Sequence, residues 1–148
     1  MFLKLLPDQV PMFWDSIKLA MIRSNNLEDR YIDSYLINLL AALMSDRAAC
    51  FVRLTDEKEL IAVHIVRVVE NEIIGKRSLI SDAIYAFKKM TLDEWKENFK
   101  HIVEFAKVNR CANVIAWTNN ERVVEIAEAI GAKETSRTLT LELGGSNG

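Results

Sequence analysis

Apolar residues recur along this chain with two rhythms, one of three and four residues and one of two, and the alternation between them sets out the predicted elements. The clearest stretch runs from Met90 to Leu143. Thr91 followed by Glu94 makes a capping box, in which a hydroxyl and a carboxylate reciprocally satisfy orphan backbone donors, so a helix is predicted to start there. Leu92, Trp95, Phe99, Ile102, Val103 and Ala106 then form an apolar stripe against a back of Lys96, Glu97, Lys100, Glu104 and Lys107. Asn113 to Thr118 is a short apolar run ended by Asn119-Asn120, which predicts a buried strand. Val123, Ala127 and Ile130 share one face of a second helix, with Gly131 placed as its left-handed cap. Arg137, Leu139, Leu141 and Leu143 alternate with Ser136, Thr138, Thr140 and Glu142, the pattern of a half-buried final strand.

The first half follows the same logic. Phe2 to Leu6 reads as a short strand closed by Pro7, and Asp8 as the cap of a helix that tolerates Pro11 in its first turn. Val10, Phe13, Trp14, Ile17 and Met21 line that helix, and Ser24-Asn25-Asn26 breaks it. A second helix over Asp29 to Met44 gathers Ile32, Leu36, Leu39 and Leu43, with Tyr35 and Leu40 at the margins. Strand periodicity then takes over in Cys50 to Leu54, a charged turn Thr55 to Glu59, and Leu60 to Val69. The last of these is apolar except at His64 and Arg67, as a central strand covered on both faces requires. After a turn over Glu70 to Gly75, Leu79 to Phe87 gives another strand leading to Lys88-Lys89 and the capped helix.

The predicted order is β-α-α-β-β-β-α-β-α-β, an α/β (α+β) chain with a mixed, mostly antiparallel central sheet of about six strands and helices on both faces. At 148 residues, 50% hydrophobic and 27% charged, the composition is that of one ordinary globular domain, expected over 1–143 with a flexible tail over 144–148. The net charge of −2 marks out no strongly charged partner and disfavours nucleic acid. No apolar run approaches the roughly 20 residues of a membrane span and no signal-like segment opens the sequence, so a cytoplasmic protein is expected. Cys50 and Cys111 stand in no metal-like spacing and are expected as reduced thiols in the core, and no metal site is expected.

Few residues offer chemistry by themselves. His64, in the central strand, is either a base near neutral pH or a satisfied core residue. His101 falls on a charged helix face. Glu57, Glu59, Glu70 and Glu72 sit in predicted turns, where solvated carboxylates are ordinary. Trp14, Trp95 and Phe99 have the spacing of helix burial. Neither a nucleophile elbow nor a phosphate-binding glycine loop is present.

The element order, together with Phe105 to Cys111, Val114 to Thr118, Asn119-Asn-Glu-Arg122, Ile126-Ala-Glu-Ala-Ile-Gly131 and a predicted last strand, resembles the GCN5-related N-acetyltransferase superfamily. Many members carry an asparagine-containing turn leading to a helix that ends in Gly-Phe, and here Ala132 takes the aromatic place. Asp93-Glu-Trp-Lys-Glu-Asn-Phe99 leading into Phe105-Ala106 also resembles small acetyltransferase-like proteins of bacteriophages. The resemblance implies acetyl-CoA as cofactor, its pyrophosphate on a glycine-rich turn before the long helix. This chain has Ala86-Phe-Lys-Lys-Met-Thr-Leu-Asp-Glu94 there, without glycine, and Asp93 and Glu94 would oppose a pyrophosphate. The family's frequent acid, a tyrosine four residues before the glycine of the last helix, is replaced by Ala127.

These departures point to a protein of this fold that lacks standard acetyl transfer and serves as a structural or binding module, in a phage virion or against a host component. Its partners would be proteins, with homo-oligomers open, its location the host cytoplasm or the virion, and no cofactor is expected. The alternative is a divergent acetyl-CoA-dependent N-acyltransferase, whose cofactor-binding candidates are Tyr85, Phe87, Lys88, Lys89, Asn119 and Asn120 and whose catalytic residues are unknown.

Overall fold

The computed structural model describes residues 1–118 and 120–144. In chain order the elements are β1 (Phe2–Lys4), a single 3-10 turn (Pro7–Gln9), α1 (Val10–Asn25), α2 (Asp29–Met44), β2 (Ala49–Leu54), β3 (Leu60–Asn71), β4 (Lys76–Ala86), α3 (Leu92–Val108), β5 (Asn113–Ala116) and α4 (Glu121–Ala129). The sheet has the order β1-β2-β3-β4-β5, antiparallel throughout except for the parallel β4–β5 pair. Among the described residues no helix is long and apolar enough to cross a membrane.

Alternation along the strands divides the core between two faces. Cys50, Val52 and Leu54 of β2 and Val63 and Ile65 of β3 meet Val10, Ile17, Ala20 and Met21 of α1 and Leu39 and Leu43 of α2. The opposite face carries Phe2, Ala49, Phe51, Val66 and Leu79 against Ile102 and Ala106 of α3, while Trp95, Phe99 and Ile126 join α3 to α4. Ile17, Ile65, Leu79 and Ile102 have no exposed surface. Full burial of one such side chain stabilises by about 1.5–3 kcal/mol. Cys50 is equally deep, and desolvation pushes its thiol up to about 12, whereas Cys111 is half-buried just before β5.

Several local expectations are met, and others yield to tertiary structure. α2 has the predicted bounds, Thr91 and Glu94 form the capping box of α3, and Gly131 (φ 101°) follows α4 in the left-handed region. Asp8 lies inside the 3-10 turn instead of capping α1. β4 starts at Lys76, because Lys76 and Arg77 pair with Asn71 and Glu70 across a turn closed by Gly75 (φ 67°). On α3, Leu92 and Val103 are exposed and Asn98 is buried. Asn98 is drawn in by Arg53 of β2, whose Nη1 donates to Asn98 Oδ1 at 2.8 Å while its Nε and Nη2 reach Glu94 and Glu97, each at 3.3 Å. That polar network fixes α3 on the sheet in a way no apolar period encodes.

The predicted sixth strand is the main correction. Among the described residues the sheet has five strands, and Leu139, Leu141 and Leu143 are 92%, 85% and 86% exposed. Alternation assigns faces to a strand but supplies no neighbour for its backbone, and no described strand pairs with this stretch. Of the expected tail, residues 145–148 lie outside the described residues.

Candidate functional site

A bulge in β4 and the early end of β5 create the most structured cleft. Ile65 of β3 faces Ala83 and Val66 faces Ser81, so Asp82 is the extra residue on β4. The bulge reverses which side chains point to which face. Leu79 belongs to the α3 side, but Ala83, Tyr85 and Phe87 pack toward α1 and α2. Asp82 turns its carboxylate to Arg67 Nε at 2.6 Å. β5 pairs with β4 only from Ser78 to Ser81, so the two strands part immediately beyond the bulge. A recess of about 260 Å³ opens between them, walled by β4 from Ser81 to Tyr85, by Trp117 and Thr118 after β5, by Asn120 and Val123 of α4, and by the end of α1.

The α1 wall is bonded directly to β4. Ile84 N–H donates to Ser24 Oγ at 3.2 Å, and the same hydroxyl lies 3.5 Å from Ile84 O. Asn25 Nδ2 donates to Asp82 O at 3.0 Å, and Arg23 Nη1 donates to the Tyr85 hydroxyl at 2.9 Å. On the far wall, Asn120 caps α4 by accepting from Arg122 N–H at 2.9 Å, and its own N–H donates to Thr118 Oγ1 at 3.0 Å.

A second, wider recess of about 520 Å³ adjoins along β4 and α4, lined by Phe87, Lys88, Lys89, Met90, Trp95 and Arg122. Three cations therefore border it. Lys88 is engaged by Glu59 of the β2–β3 turn, and Arg122 lies 3.6 Å from Glu125. The nearby start of α3 has its own carboxylate: Glu94 N–H donates to Thr91 Oγ1 at 3.1 Å and Thr91 N–H donates to Glu94 Oε1 at 3.0 Å. Glu94 is held below the usual carboxylate range, chiefly by the Thr91 backbone bond, against the opposing effect of desolvation and with help from the Thr91 side chain and Arg53.

His64 is buried, with Nε2 2.8 Å from Ser81 Oγ and its ring edge-on to Phe99. Desolvation pulls its pKa down to about 3, so at neutral pH it is an uncharged imidazole and a poor proton acceptor. His101 is exposed, with Nδ1 2.9 Å from Glu97 O.

The structure thus distributes the residues expected to hold a cofactor between two recesses. Phe87, Lys88 and Lys89 border the wider one, and Tyr85 and Asn120 the cleft. Asn119 lies outside the described residues. Sequence reasoning missed Arg122, Ser24, Asn25 and the Asp82 bulge. No periodic signal marked the last, because one extra residue in a strand of mixed character leaves the pattern on either side intact.

The fold as a whole has many counterparts among solved structures. A "probable acetyltransferase" superposes with a TM-score of 0.76 at 16% identity, covering 97% of this chain and 98% of that one. The chain has the GCN5-related N-acetyltransferase fold. A "predicted acetyltransferase" from Clostridium acetobutylicum, solved with acetyl-CoA, gives 0.75 at 11% identity over 96% of this chain and 95% of that one. A ribosomal-protein-alanine N-acetyltransferase from Brucella melitensis biovar Abortus 2308 gives 0.66 at 15% identity over 97% and 99%. No protein-family model matches the sequence, and no curated protein matches it.

For a chain of this acetyltransferase fold, acetyl-CoA is the cofactor to be tested against the residues present. Its phosphates do not fit the start of α3, where Glu94 already takes a backbone donor and adds negative charge. They do fit the side chains of the wider recess, where Lys89 and Arg122 stand together. An amide-bearing arm fits the edge of β4 once Ser24 leaves it, since the Ile84 N–H and C=O on that edge both contact the Ser24 hydroxyl.

Proposed function

We propose that this protein is a divergent acyl-CoA-dependent N-acyltransferase working in the β4–β5 cleft, with the phosphates held by side chains instead of by a glycine turn. The parting of β4 from β5 at the Asp82 bulge carries this reading, because it leaves a strand edge without a strand neighbour beside a recess of ligand size. Acyl-CoA would supply an activated thioester, and the rest is asked of this chain. Ile84 N–H, once released by Ser24, would polarise a carbonyl or pair with an amide. Lys89 and Arg122 offer charge to phosphate oxygens. The Tyr85 hydroxyl accepts a hydrogen bond from Arg23, which leaves its own proton to be given away and a cation beside the phenolate that results. Tyr85 would thereby take over, from β4, the acid role that Ala127 lacks.

Calorimetric titration with acetyl-CoA and CoA tests the reading. Saturable binding in the micromolar range, weakened at least tenfold in Lys89→Glu/Arg122→Glu, is expected. Absence of heat up to millimolar ligand overturns it. If binding is found, Tyr85→Phe is expected to lower kcat for an amine acceptor by about 10²-fold while leaving the CoA Kd within a factor of two.

The capping of α3 by its own Thr91 and Glu94 favours a second reading. Here the fold serves as a binding or structural module with protein partners, in a phage particle or against a host component, and binds no acyl cofactor. A flat calorimetric trace would select it.

A further inference from the structure

Three consecutive residues at the end of α1 are attached to β4 where its edge is released by β5. Asp82 O, Ile84 N–H and Ile84 O are all engaged by Ser24 and Asn25, and Tyr85 is held by Arg23 both through its hydroxyl and by the guanidinium 5.7 Å from its ring centre. Backbone groups of alternate residues lie on the same edge of a strand, so Ser24 and Asn25 occupy the positions that the next strand, or any extended amide-bearing chain, would use. Ile84 has one N–H and can give it to one strong acceptor at a time.

We infer that the end of α1 is an internal competitor for the β4 edge: the Ser24-Asn25 corner must lift away before an extended amide chain, such as the pantetheine arm of an acyl-CoA, can pair with Asp82 and Ile84. The inference rests on the acyltransferase reading for the identity of that chain. Its mechanical basis lies in α1 itself. Ile17, Ala20 and Met21 are buried and anchor the helix, while Arg23, Asn25 and Asn26 are exposed and Ser24 is half-buried. Asn26 ends the helix in the left-handed region (φ 50°), and only Leu27 and Glu28 separate it from α2. A swing about this corner gives up a few side-chain hydrogen bonds and leaves the packed turns of α1 in place. Each such bond contributes little net free energy when the groups released can meet water or ligand, so the closed state is readily displaced. Selectivity follows as well. A ligand with groups that replace both Ile84 contacts recovers what the corner loses, and one without them leaves a strand edge unpaired in a cleft.

The test is CoA titration of the full chain and of Ser24→Ala/Asn25→Ala, with amide hydrogen exchange across β4 in both proteins, with and without CoA. The double variant is expected to bind CoA about tenfold more tightly, the factor set by a wild-type corner that is open about one tenth of the time. Without ligand, its Ile84 amide is expected to exchange faster than in the wild type, and CoA should restore protection. Equal or weaker binding by the variant, or an Ile84 amide indifferent to the loss of Ser24, overturns the inference. Lack of CoA binding by both proteins overturns the acyltransferase reading and the inference with it, an outcome distinct from equal binding. Ser24→Ala alone, which keeps the bond from Asn25 to Met21 O, serves if the double variant unfolds the helix end.

Discussion

Ile65 and Leu139 carry side chains of the same size and both fall in stretches with strand periodicity, yet Ile65 has no exposed surface and Leu139 is 92% exposed. The difference runs through the molecule. From β1 to β4 each strand has a neighbour of known register, and α1, α2 and α3 cover the two faces. From Asn113 onward, β5 has four residues, α4 buries mainly Val123 and Ile126, and residues 132–143 lie off the sheet. Periodicity is a local property and burial is not. The same alternation builds a core in one region because partners surround it, and builds none over residues 132–143.

The contrast can be tested by mutation. Ile65→Ala is expected to give the largest effect, a loss of about 2–5 kcal/mol in urea unfolding, from lost transfer energy plus an uncollapsed cavity. A smaller, pH-dependent effect centres on His64. Its pKa in the folded chain, about 3, lies below the ordinary 6.5, so between these values the unfolded chain binds a proton that the folded one refuses. Stability is therefore full above pH 6.5 and falls as the pH is lowered, by at most about 1.4 kcal/mol per pH unit. That comes to about 2 kcal/mol by pH 5, and His64→Gln should flatten the slope measured by urea midpoints at pH 7 and pH 5. Leu139→Ser and Leu141→Ser should be the mildest changes, within about 0.5 kcal/mol of wild type. A loss of more than 2 kcal/mol from either would show that the stretch is buried in solution, and the comparison would fail.

Much of the architecture was legible because it depends on short-range signals. The capping box at Thr91, the bounds of α2, the strand-to-helix junction at Asn120 and the cap at Gly131 are all written within a few neighbouring residues. What escaped depends on residues far apart in sequence. Arg53 and Asn98 look like surface residues until β2 and α3 face each other. Ser24 looks like a helix breaker until α1 ends against Ile84. Tyr85 was singled out for its place before the helix, but the bulge at Asp82 decides which face its hydroxyl reaches, and one extra residue leaves no periodic trace. The site was therefore half readable. Lys88, Lys89 and Tyr85 stand in the sequence, whereas Arg122 and the α1 wall emerge only when the helices and sheet come together.

The two cysteines give the molecule an intrinsic clock. Cys50 lies in the sealed interior of β2 with its thiol held protonated by burial, and Cys111 is half-buried at the junction of α3 and β5. Alkylation proceeds through the thiolate and needs access to the sulfur. Modification of Cys50 thus requires the sheet to open, while the half-buried Cys111 requires much less, and both rates are read in the native sequence without an added label.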